Sequence, residues 1–368
     1  MMEQDRPPDW FSKPGDTVRV LIQRRGVDVH ELASSLDGGL QSLRGILAGT
    51  YAIEDKSASV LAAHLGGTKR FWLQRQTNYE LALERAVQSA LLEDTAEWLA
   101  RVPSPEPKRR GPLSDVRRAI EVRQRLTYFS VGTLDAWDVR YGNLHNTARY
   151  RTTKTFETNN SAVLLWLRRA ELEADLLPTR SWNPDELRKR LGLIRSLTRH
   201  REPKVFFPRL RALCAEAGVA VVGLPAPTGC RASGASRMIA PDKAMIILSF
   251  RYRADDQFWF TVFHEIGHLL LHTGRSFVDD GSVDSSDACE EEANRFASSQ
   301  IITDAEVLDL TRTPLAWKSI VRFSSSAKLS PGLVLGQLQH RGIVDHRRFN
   351  FLKRHWTNED VMDAIINL

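Results

Sequence analysis

The amino-acid sequence predicts a multidomain, mainly α-helical protein with one α+β domain in its C-terminal half. Three observations carry this. The 368 residues suffice for two or three domains with cores of their own. Short helix-length segments punctuated by glycine run from Pro14 to Ala90. Near Pro208 the texture changes, and two strand-like runs precede a long apolar helix.

The first segments read as a small helical set. Thr17–Arg25 runs into Gly26, a helix-stop signal. Asp28 is placed to cap a second helix, Val29–Leu36, which turns Leu32, Ala33 and Leu36 inward. Asp37-Gly38-Gly39 then makes a tight turn into Leu40–Leu47, which stops at Gly49, and a fourth helix, Asp55–Leu65, ends at Gly66. Two short helices joined by a small-residue turn inside such a set form the helix-turn-helix pattern. Residues 10–92 are therefore expected to be an all-α helix-turn-helix domain. Four prolines between Arg101 and Pro112 predict an extended Pro/Arg-rich linker, 93–112. A helical middle region, 113–200, follows; in it Ala162–Ala174 is amphipathic, and Asn183 caps a helix with Pro184 in its first turn.

Beyond it, a helix through Leu210–Ala217 stops at Gly218, and Val219–Gly223 and Lys243–Phe250 read as strands with Gly/Ser-rich chain between them. With the apolar helix that follows they make an α+β domain, 201–310, and residues 311–368 form a helical extension. The 42% hydrophobic and 26% charged content is that of a globular protein. No apolar run approaches the ~20 residues of a membrane span, and no signal-like segment opens the chain, so the expected location is cytoplasmic and no membrane partner is expected. Cys214, Cys230 and Cys289 form no framework of disulfides or metal ligands, which fits a reducing compartment. The net charge of +6 is uneven: Arg101–Arg125 holds eight Lys/Arg against three Asp/Glu, and Arg188, Lys189, Arg190, Arg195, Arg199 and Arg201 follow later. Such runs are ordinarily solvated helix faces; the alternative is a surface for phosphate or an acidic partner.

The chemistry concentrates in Phe263-His-Glu-Ile-Gly-His-Leu-Leu-Leu-His272. On a helix, His264 and His268 share one face a turn apart and suit two ligands of a tetrahedral zinc. Glu265 adjoins that face, where a carboxylate can take a proton from a zinc-activated water. His272 lies about 12 Å along the axis from His264, too far to share its metal, and is expected to be structural or outer to the ligands. The third ligand is sought on Glu290–Ala297, where Glu290 and Asn294 share one face with Ala293, Phe296 and Ala297 turned to the core. There Glu290 binds the metal and Asn294 orients a ligating histidine, with Glu292 as the substitute if the register shifts. Cys289 beside this run could place an inhibitory thiolate on the zinc; a plain buried cysteine is the simpler reading. An oxyanion donor is open among His272, Tyr252 and Arg251.

On these residues the chain resembles the ImmA/IrrE family of zinc metallo-endopeptidases, through Asp255–His272, Glu291–Ala297 and Leu329–His340. Separately, Pro14-Gly-Asp-Thr-Val, Glu31-Leu-Ala and Phe71–Ala82 resemble the HigA-type antitoxin branch of Xre helix-turn-helix proteins. The first resemblance implies a zincin-like peptidase domain, with His264, His268 and Glu290 at ligand positions and Glu265 as general acid/base. Its substrates would be repressor- or antitoxin-like regulators cleaved after a stress signal, in a setting such as a toxin–antitoxin system. Ser298–Thr303 departs from the Leu-Leu-Met-Pro that the family often carries, which touches the cleft wall more than the metal. The second resemblance implies DNA as a partner and, by analogy, a homodimer. Only Gln41 and Arg44 stand where a recognition helix reads DNA, and Gly45 weakens that helix by ~1 kcal/mol. The domain is thus either a DNA reader through Gln41 and Arg44 or a protein-binding module. The expected function is a zinc-dependent endopeptidase of a regulatory protein; the alternative is a DNA-binding regulator or antitoxin whose zinc domain senses or scaffolds.

Overall fold

The protein is described from a computed structural model covering residues 11–93, 95–106, 114–142, 160–272, 277–279, 288–312 and 315–366. It is mainly helical and forms two compact units, residues 1–176 and 177–368. The division lies inside the stretch read from sequence as one middle region. Within the stretch read as an extended linker, 93–112, Thr95–Arg101 is helical, and residues 94 and 107–112 lie outside the described residues.

The first unit comprises α1 (Pro14–Arg25), α2 (Val29–Ser34), α3 (Gly39–Ala48), α4 (Asp55–Leu65), α5 (Lys69–Leu91), α6 (Thr95–Arg101), α7 (Asp115–Phe129), α8 (Leu134–Trp137), a π-helical turn (Asp138–Gly142) and α9 (Asn160–Ala174). Gly26 ends α1 in the left-handed conformation, at φ 63°, and Asp28 caps α2 through the amides of His30 and Glu31. Gly45, a weak helix former in α3, has a packing reason: the Tyr51 ring lies where a Cβ would stand. Helix α5, roughly 35 Å long, buries Trp72 and Gln76 at one end and Leu83 and Val87 at the other. The latter join Trp98, Val122, Leu126, Phe129, Trp137 and Leu164 in one core.

A polar network is buried in this unit. Glu171 accepts from Arg168 Nη1 at 2.6 Å and from the Tyr141 hydroxyl at 2.9 Å. Ser130 Oγ accepts from Arg168 Nη2 at 2.7 Å and from Lys13 Nζ at 2.9 Å. Three cations of the first basic run are paired within the unit: Arg101 with Asp138, Arg123 with Glu84 and Arg125 with Glu121.

The second unit begins with α10 (Pro184–Leu197) and α11 (Pro203–Ala215), then β1 (Val219–Gly223), β2 (Gly234–Ala240), β3 (Lys243–Leu248), α12 (Asp255–Leu271) and β4 (Phe277–Asp279). Helices α13 (Ala288–Ile301), α14 (Asp304–Thr311), α15 (Trp317–Ala327) and α16 (Pro331–His340), a 3-10 turn (Asn350–Leu352) and α17 (Asn358–Ile366) complete it. Asn183 caps α10 as expected, accepting from the amides of Asp185 and Glu186. The sheet order is β1-β3-β2-β4, with β1 parallel to β3 and β2 antiparallel to both its neighbours. Strand β2 occupies the Gly/Ser-rich stretch expected to be irregular, because neighbours on both sides satisfy its backbone. Val219, Val221, Ala244, Ile246 and Leu248 share a core with Phe206 and Phe207 of α11 and Trp259, Phe263 and Ile266 of α12.

The start of α12 is fastened to the C-terminal segment. Asp255 accepts from Ser330 Oγ and, at 3.0 Å, from the amide of Arg354, while its own amide donates to Arg354 O at 3.0 Å. Lys353 Nζ pairs with Asp256 at 2.7 Å, and Ala254 bridges His355. Burial pushes the Asp255 carboxyl up, against the lowering effect of Ser330 and the Arg354 amide. In the second basic run Arg188 pairs with Asp185, and Lys189 and Arg190 with Glu186. Arg195 donates to the carbonyls of Gln300, Ile301 and Ala327, tying the ends of α13 and α15 to α10.

Burial, with the positive charge of Arg168 beside it, holds the Lys13 ammonium down at about 8. Below that pH the folded chain carries a buried cation, whereas the unfolded chain keeps its lysine protonated up to about 10.4. Stability contributed by this group therefore rises with pH between about 8 and 10.4. Relative to Lys13→Met, the parent protein is expected to gain about 3 kcal/mol across that window, measured by denaturant unfolding of both at each pH.

Candidate metal centre

Helices α12 and α13 build the site between them. Their approach is close because Gly267 offers no side chain: a Cβ there would stand 3.0 Å from the Phe296 ring and 3.3 Å from Ala293 Cα. Ala293 and Ala297 are buried along the facing stripe of α13, which turns Glu290 and Asn294 toward the histidines.

His264 Nε2 lies 3.0 Å from His268 Nε2 and 3.2 Å from Glu290 Oε2, and His268 Nε2 lies 3.5 Å from Glu290 Oε1. Bonds of about 2.0–2.2 Å around a tetrahedral ion separate its donors by roughly 3.4 Å, so the donor spacing fits one metal. All three residues are buried, at 2%, 1% and 5% exposure, and they form a group able to hold an ion. Burial would raise the Glu290 carboxyl, but the bonds from His264 and His268 outweigh it and hold the group well below the usual carboxylate range. Burial also lowers the His268 imidazole, which favours its neutral, ligating form.

The outer contacts leave each Nε2 facing the centre. His264 Nδ1 is 3.0 Å from Asn294 Oδ1, a bond in which the ring N–H donates. His268 Nδ1 meets His272 Nδ1 at 3.2 Å, and His272 Nε2 meets Glu292 Oε2 at 2.9 Å. His272 thus stands outside the ligand group, and Glu292 is engaged by it. Glu265 is fully buried beside His264, with Gly234 of β2 against it: a Cβ on Gly234 would lie 2.7 Å from Glu265 Oε1 and 2.6 Å from the Thr261 methyl. Sequence reading missed Gly234, whose role depends on a strand that carries no periodic signal.

The other candidates lie elsewhere. Tyr252 is exposed, with the Arg251 guanidinium over its ring, and Arg251 donates to Arg231 O. In the first unit Gln41 is exposed near the Tyr51 hydroxyl at 3.5 Å. Arg44 is engaged by Glu173 of α9, at 3.1 Å from Nε and 3.0 Å from Nη2. Cys289 is half-buried.

Two helices thus present a His, His, Glu group able to hold a metal ion beside a small mixed sheet. Residues 215–330 match the family model of the IrrE N-terminal-like domain, a metallopeptidase family. No curated protein and no solved structure matches the chain. No described helix is long and apolar enough to cross a membrane.

Purified protein is expected to hold about one metal ion per chain by elemental analysis, and Glu290→Ala is expected to lose it while Glu292→Ala keeps it. Asn294→Ala, which removes only the partner of His264 Nδ1, is expected to weaken metal affinity by about 10–100-fold in a chelator competition.

Proposed function

We propose that the second unit is a zinc-dependent endopeptidase domain acting on a protein substrate, with zinc held by His264, His268 and Glu290. The observation that carries this reading is the buried convergence of those three donors next to Glu265. Zinc would supply Lewis acidity there, polarising a scissile carbonyl and lowering the pKa of the attacking water. Glu265 acts as general base and then general acid, taking the water's proton and passing it to the leaving amine. Gly234, which leaves no room for a side chain beside that carboxylate, keeps β2 packed against it. Asn294 and the His272–Glu292 pair hold the imidazoles in the tautomer that leaves Nε2 for the metal. A purely scaffolding metal has no need of Glu265, which favours an enzyme over a sensor.

We assign the substrate to regulatory proteins, repressor- or antitoxin-like, met in the cytoplasm. The α1–α5 set is assigned as a helix-turn-helix module. Arg44, the one cation of α3, is paired with Glu173, which favours a protein-binding or dimerising role over DNA reading.

Glu265→Gln is expected to keep its metal and lower cleavage of a co-expressed regulator by on the order of 10²–10⁴-fold; a fully active variant would exclude the general-base role. Gly234→Ala is expected to leave metal content near one ion per chain and slow cleavage, because the methyl displaces Glu265 and none of the ligands. Loss of metal in Gly234→Ala would show instead that β2 shapes the whole centre.

A further inference from the structure

A second site lies upstream on the same helix. Between α12 and α16 is a pocket of about 120 Å³, lined among others by Asp256, Phe260, Leu333, Gly336, Gln337 and His340. Phe260 and Leu333 supply apolar surface. Asp256 Oδ1 and Gln337 Oε1 are buried acceptors with no hydrogen-bond partner, on side chains only 5% and 3% exposed. The other Asp256 oxygen is held by Lys353 Nζ at 2.7 Å, which fixes the carboxylate. Gly336 keeps α16 close to Asp256: a Cβ there would stand 2.8 Å from Asp256 Cβ.

An unsatisfied buried acceptor is costly, so this pocket is built to receive donors. It is far smaller than the roughly 300–1,000 Å³ of small-molecule and cofactor sites and matches one side chain. A long aliphatic stem against Phe260 and Leu333, ending in a cationic donor at Asp256 and Gln337, satisfies both kinds of lining. Lysine and arginine have that form. Asp256 precedes His264 by about 12 Å along the helix, the span of three to four residues of extended chain. The Phe260 ring lies between the two places, with its centroid 6.1 Å from that of His264 and 6.2 Å from that of His340.

We propose that this pocket is a subsite for a lysine or arginine side chain of the peptide lying across the metal centre. The assignment rests on the endopeptidase reading for its occupant, and its test does not need turnover. Metal-loaded full-length Glu265→Gln protein is titrated, by fluorescence anisotropy, into two pools of labelled random hexapeptides, one with lysine and one with norleucine fixed at the third position. The lysine pool is expected to bind about ten-fold more tightly, the order of one charge-assisted hydrogen bond. Adding Gln337→Leu, or Asp256→Asn where the first variant melts early, is expected to shrink the gap below about three-fold. Equal binding of the pools, no binding of either, or a lysine preference untouched by both variants overturns the proposal. So does a crystal grown with n-butylammonium in which the pocket holds ordered water alone. Cleavage by the parent protein without a lysine preference would sink the subsite and keep the peptidase; the preference in a protein that cleaves nothing would do the reverse.

Discussion

Helix α12 buries fourteen of its seventeen residues, and three of those are His264, Glu265 and His268. Taking two imidazoles and a carboxylate out of water costs several kcal/mol unless partners meet them. For the two imidazoles, Glu290 and Asn294 come from α13, and they reach because α12 and α13 approach closely at Gly267 and Ala293. A side chain at Gly267 would push α13 outward and draw Glu290 and Asn294 from the histidines. The donor spacing and the contact of Asn294 with His264 therefore share one cause, a helix crossing set by two small residues.

The same helix is held at its other end by chain far downstream. Ser330 closes the segment that matches the family model, and it is also a hydrogen-bond donor to Asp255. Beyond it, Gly332 makes room for the Asp255 carboxylate, Lys353 pairs with Asp256, and Trp356 packs on Phe206, Phe250 and Phe258. The C-terminal extension is thus part of the unit that carries the centre. It fixes where α12 begins, and a helix fixed at its start and gripped at its middle has little freedom to shift its ligands.

How much of this could be read from sequence depends on the range of the interactions. The caps Asp28 and Asn183, the stop at Gly26 and the stripe Glu290, Ala293, Asn294, Ala297 are local, and they stand in the structure as the residues suggest. Glu290 rather than Glu292 faces the histidines because residues two apart on a helix point to different faces. Strand β2 was not legible: Gly234-Ala-Ser-Arg has no strand-like alternation, and only β3 and β4 on either side make it a strand. Gly234 against Glu265, and Asp256 with Gln337, join residues far apart in the chain, which no local pattern encodes.

The first unit spends its buried charge differently. Arg168, Glu171, Tyr141, Ser130 and Lys13 satisfy one another through geometry that a shifted helix could not reproduce. Such a network adds less stability than an apolar core of the same volume, and what it offers in return is register. Its register places the end of α9 against α1 and α3, where Glu173 meets Arg44 and Asp175 lies 3.6 Å from Arg19. A helix meant to enter a DNA groove has to keep its cations for phosphate and base edges. Here Arg44, the one cation of α3, is matched to a carboxylate of the same unit, Glu173. That pairing favours α3 as part of the packed interior of its unit over α3 as a free reading head.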